Sequence, residues 1–131
     1  MAMSIVKHYY VTLLYFHIIG TVTVADNKWK IPDLPDDGEI LGYGGFINTL
    51  GSGAGTSTDI QIRNEETSRD YFDTKPTFEV DSATKKLEGG DLIDSPTFKA
   101  GQTLVLDVDA VSTNPADVDV WLLVGMHHEV S

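Results

Sequence analysis

Four aspartates in the last quarter of the chain, Asp107, Asp109, Asp117 and Asp119, come nearest to chemistry in type and spacing. Asp107 and Asp109 project from one alternating stretch, Asp117 and Asp119 from the next. A hairpin between the two stretches would bring Asp109 close to Asp119. Like charges opposed across a ladder are destabilising, and a cation would relieve them. Calcium takes about six to eight oxygens from carboxylates and carbonyls, so these four residues form a candidate calcium site. The competing reading is a solvated strand face. It is preferred, because EF-hand spacing is absent and carboxylates alternating along a strand are mostly exposed. No cofactor is expected.

The remaining chemistry-bearing residues are sparse. Among the four histidines, His127 and His128 are neighbours, and a strand sends neighbouring side chains to opposite faces. A zinc site would need His8 or His17 to approach them, and no Cys or His-x-x-x-His spacing supports one. Gly42-Tyr-Gly-Gly45 and Gly51-Ser-Gly-Ala-Gly55 lack the Gly-Lys-Ser/Thr continuation of a phosphate loop, and they read as a bulge and a hairpin loop. No Gly-x-Ser-x-Gly elbow occurs, and nothing else signals a nucleophile. An enzyme is not expected.

The elements that must position these residues are strands. Leu104, Leu106, Val108 and Ala110 fall on one face and Thr103, Asp107 and Asp109 on the other, the period of two of a half-buried strand. Val118, Val120, Leu122, Val124 and Met126 repeat the pattern, opposite Asp117, Asp119, Trp121 and Leu123. Asn114-Pro115 favours a turn, so the two runs read as an antiparallel hairpin with aliphatic side chains inward and aspartates toward water. Residues 39 to 63 read as a second hairpin. Residues 64 to 77 read as loop, followed by short strands near Thr77–Val80 and Leu92–Asp94. No helical period is sustained. The fold class is all-β: a single antiparallel β-sandwich or jelly roll of about 7–9 short strands.

At 131 residues the chain suits one domain. Twenty acidic against nine basic residues give a net charge of −11, which repels phosphate backbones and anionic lipid, so neither nucleic acid nor membrane is expected as a partner. The absence of cysteine excludes disulfides and thiolate sites. Tyr9 to Ala25 has the look of a secretory leader but is read as structural. Its density of Val, Ile, Thr, Tyr and Phe suits strands, about Lys7–Ile18 and Thr21–Ala25. The division expected is residues 1–20 as an N-terminal strand or docking arm and residues 21–131 as the β-sandwich.

Trp29-x-Ile-Pro32, the glycine-rich Gly42–Gly55 passage, and Phe98–Val111 with Asn114–Val124 resemble small β-sandwich proteins of tailed-bacteriophage particles. The resemblance spans roughly residues 28 to 126, and similar strand grammar occurs in unrelated sandwiches. It implies a non-enzymatic virion component on the capsid exterior: a cement or decoration protein bound to the major capsid protein or another virion protein, homo-oligomeric, with a trimer favoured. The alternative is a tail-fibre or receptor- or glycan-binding domain. In the first role the partner-contact residues expected are Tyr9, Tyr10, Tyr15, Phe16 and Trp121, because aromatic side chains carry interface energy disproportionately.

Overall fold

The computed structural model describes residues 6–82 and 84–130; the first five residues of the expected N-terminal segment lie outside them. Eleven strands follow in order: β1 (Val6–Thr21), β2 (Ala25–Ile31), β3 (Asp37–Thr49), β4 (Ser57–Asn64), β5 (Arg69–Asp70), β6 (Phe72–Thr74), β7 (Thr77–Glu79), β8 (Asp91–Leu92), β9 (Thr97–Phe98), β10 (Leu104–Ala110) and β11 (Ala116–Val130). One sheet has the order β1-β11-β3-β9 and the other β2-β10-β4-β5, with β7 also on β4; β6 and β8 form a small ribbon. All pairings are antiparallel. β1 to β4 alternate between the sheets along the chain, and β10 and β11 again fall one in each, as in the winding of a jelly roll.

The period of two explains the core. Phe16, Ile47, Val118, Val120, Leu122 and Val124 of the first sheet meet Ile60, Ile62, Leu104, Leu106 and Val108 of the second, and all are buried. Each such side chain contributes about 1.5–3 kcal/mol relative to remaining in water.

Both expected hairpins prove to be arches between the sheets. β10 pairs with β2 and β4, whereas β11 pairs with β1 and β3, so Leu104–Ala110 and Val118–Met126 face one another across the core instead of side by side. β3 and β4 are separated in the same way. The two crossings are tied together: Ser52 and Thr113 exchange both backbone hydrogen bonds at 2.9 Å, and the Ser112 hydroxyl donates to the Leu50 carbonyl at 2.6 Å. Gly51 holds φ 82° there, and a Cβ would run into Ser112 and Thr113, so only glycine fits. Positive φ at Asn114 and Asp117 turns the chain out of one sheet and into the other.

A second correction concerns the aspartates. β10 is central in its sheet, and Leu104 through Val108 are buried on both faces, Asp107 included. On the outer face Lys30 of β2 and Arg63 of β4 flank Val105 in register, and Arg63 reaches on to the Asp107 carboxylate.

Candidate interaction surface

β1 lies along β11 from Val6 to Ile18, and its exposure alternates: Tyr10, Thr12, Leu14 and Phe16 turn inward while Tyr9, Val11, Leu13 and Tyr15 turn out. The outward four are 52%, 51%, 41% and 48% exposed. In register with them on β11 stand Leu123 opposite Leu13 and Trp121 opposite Tyr15, and β3 adds exposed Leu41 and Phe46. The outer face of the first sheet is therefore a broad apolar surface on a strongly acidic chain.

Two glycines shape that surface. A Cβ on Gly44 of β3 would collide with the Trp121 ring, and one on Gly125 of β11 would collide with the Tyr9 ring. Each aromatic ring lies over a position that has no side chain, covering bare backbone. Beside Trp121 an open cleft of about 350 Å³ is lined by Tyr43, Gly44, Gly45, Phe46, Lys86 and Leu87.

Polar groups fix the two ends of the β1–β11 pair, one on the outer face and one on the inner. At one end His17 is bonded to Asp119, and its ring stacks on Tyr15 at 6.1 Å. At the other, the Tyr10 hydroxyl donates to Asp36 at 2.6 Å, and His128 Nδ1 lies 2.9 Å from the other oxygen of the same carboxylate. The Tyr10 contact, followed by the one with His128, holds the Asp36 carboxyl below the usual carboxylate range; the same hydrogen bond to Asp36, aided by burial, pushes Tyr10 up to about 12.

The structure separates the four candidate calcium ligands. Asp107 receives Arg63 Nε at 2.9 Å and the backbone N–H of Asn27 at 2.9 Å. Asp109 pairs with Lys75 at 2.8 Å, Asp117 accepts from the Gly20 N–H at 2.7 Å, and Asp119 holds His17. Asp109 and Asp119 belong to different sheets, so the expected cross-strand pair does not exist. Among the described residues no three His, Cys, Asp or Glu side chains gather where an ion could sit. The termini do come together, His8 opposite His128 and Tyr9 opposite His127 in the ladder.

Of the expected contact residues, Phe16 is fully buried in the core: its even position points it inward, which corrects its assignment to an interface. Tyr10 is half-buried and engaged with Asp36. Tyr9, Tyr15 and Trp121 lie on the outer face. Sequence reasoning missed Val11, Leu13, Leu41, Phe46 and Leu123 as members of that face. A signal existed in the shared parity of Tyr9, Val11, Leu13 and Tyr15. It was ambiguous because the opposite parity is just as apolar.

Fold and surface together define a class: an antiparallel jelly-roll sandwich with one apolar sheet face. No family model and no curated protein matches the chain. In fold it is similar to a chain of the solved "Cyanophage Pam1 capsid asymmetric unit", with a TM-score of 0.59 over 92% of this chain and 85% of that one, at 15% identity. At that identity the likeness is one of fold.

Proposed function

We propose that this chain is a non-enzymatic structural protein of a phage particle, a cement protein that sits on the capsid exterior and binds the major capsid protein or another shell component. The observation that carries the reading is the outer face of the first sheet, where Tyr9, Val11, Leu13, Tyr15, Leu41, Phe46 and Leu123 are all exposed on a chain of net charge −11. Contiguous apolar surface of this kind marks a docking site, and the acidic remainder keeps the molecule soluble until it docks. Fold likeness to a chain of a phage capsid supports the setting, although jelly rolls also serve as lectins.

The second reading, a fibre domain binding a receptor or glycan, calls for aromatics and carboxylates clustered on loops at one end. Here the exposed aromatics Tyr9, Tyr15, Trp29 and Phe46 all lie within strands, which favours docking through a sheet face. The deciding experiment adds purified protein to particles that lack it and counts bound copies. Cement predicts copies in the hundreds and a blank glycan array. Copies in the tens with a positive array would support the fibre reading instead.

A further inference from the structure

β1 closes one side of its sheet and, among the described residues, is paired on one flank, to β11. Near its C-terminal end the other flank comes beside β2, where the Trp29 ring stands edge-on to His17 with centroids 5.9 Å apart. From His8 to Tyr15 no strand of the described residues pairs with that flank. Natural edge strands are usually blunted by proline, inward charges or a bulge, since a bare row of N–H and C=O groups recruits another strand. Between His8 and Ile18 this one carries none of those devices; its one register shift with β11 falls beyond, between Ile18 and Thr21. Its register with β11 is unbroken from Val6 to Ile18, and residues 8–25 contain no Pro, Asp, Glu, Lys or Arg.

We propose that the flank is occupied by the same flank of a second copy, with two β1 strands pairing antiparallel about a two-fold axis. Charge permits this occupant. All 20 acidic residues lie beyond Ala25, so two paired β1 strands set no carboxylate of their own against another. Geometry agrees. A two-fold axis normal to the sheet keeps each face on its own side, so Tyr10, Thr12 and Leu14 remain inward in both copies and outward residues meet outward ones. Residues of like parity then oppose one another, which puts a single residue on the axis facing itself. A head-to-tail ring that continued this sheet from copy to copy, such as a trimer of that kind, would need the far edge of the sheet open to receive β1. The far edge of this sheet is taken by β9 and by the segment Lys85–Leu87, through Ile47 N–H to the Lys85 carbonyl at 3.0 Å and Leu87 N–H to the Gly45 carbonyl at 3.1 Å.

The contact concerns the edge of the sheet, whereas the proposed capsid contact concerns its face, so the two stand or fall separately. The chain has no cysteine, which makes a single-cysteine scan from Tyr9 to Tyr15 unambiguous. Under mild oxidation one position should cross-link to itself far faster than its neighbours, with the rate falling on both sides. Light scattering of the native chain should give twice 14.3 kDa. Thr12→Lys, which sets an inward charge on the edge, should give a monomer with an unchanged circular dichroism spectrum; if that variant fails to fold, the scan on the otherwise native chain still decides. A monomeric or trimeric mass, or a scan without self-cross-links, overturns the proposal. So does cross-linking only to a shell protein on particles, which would make the occupant a foreign strand.

Discussion

The indole of Trp121 on β11 lies over Gly44 on β3, filling the space that any side chain at position 44 would need. Gly44→Ala should leave the protein folded, with a stability loss of about 1–3 kcal/mol, and should push the ring off the sheet. Trp29 is the other tryptophan, so a Trp29→Phe background isolates the signal. The expected outcome is red-shifted Trp121 fluorescence together with weaker particle binding. An unshifted spectrum would mean that the ring does not depend on Gly44.

Arg63 and Asp107 should respond unequally to truncation. The Asp107 side chain is 6% exposed and that of Arg63 is 21%, so the guanidinium left alone can reach water and the carboxylate cannot. Arg63→Ala should cost about 3–5 kcal/mol by stranding a buried charge. Asp107→Asn keeps the shape and a hydrogen-bonding oxygen for the Asn27 N–H, and should cost clearly less. Urea unfolding of the two variants measures the difference, and equal losses would contradict the asymmetry.

Tyr10 and Asp36 link stability to pH at both ends of the scale. Asp36 is held below its ordinary value, so its contribution is complete above the unfolded carboxylate pKa, about 3.9, and is lost as pH falls through the lower folded value. Tyr10 is raised to about 12, so its contribution is complete below the unfolded value of about 10 and is lost as pH rises through about 12. Tyr10→Phe should therefore lower the Tm between those limits and make little difference beyond them. Phenolate absorbance should also show two late-titrating tyrosines in the native protein, Tyr10 and the desolvated Tyr71, and one in the variant.

Leu106→Asp and Val120→Asp each place an unpaired carboxylate in the fully buried space between the sheets and should abolish soluble folding. Phe16→Ala should cost about 3–5 kcal/mol, the loss expected when a core phenylalanine is truncated. Soluble yield and thermal melts report all three. A Phe16→Ala protein as stable as the parent would contradict its place in the core.

The alternation at 104–110 and 118–126 was legible because a strand's period is written in its own residues. Which strand lies beside it is not. The connection at residues 111–115 can bend flat into a hairpin or step across the core, and the step is held by contacts of Ser52 with Thr113 and of Leu50 with Ser112, about sixty positions apart and invisible to a local pattern. Asp107 misled for a related reason: its outward parity was correct, but whether outward means wet depends on Arg63 and the Asn27 backbone, supplied by neighbouring strands. The apolar face was half readable. Tyr9, Tyr15 and Trp121 could be named from their chemistry, while Leu41 and Phe46 join them only once β3 is placed against β11.

The pairing of β1 with β11 also governs how the molecule can be born. β1 leaves the ribosome about a hundred residues before its ladder partner in Ala116–Val130, so it must wait, greasy and unpaired, until the strands between them have been synthesised. Such distant closure makes folding slow, and the waiting segment is the one most prone to stick to its neighbours. A host chaperone that holds nascent β1 should thus raise the yield of soluble protein more than any change made in the finished core.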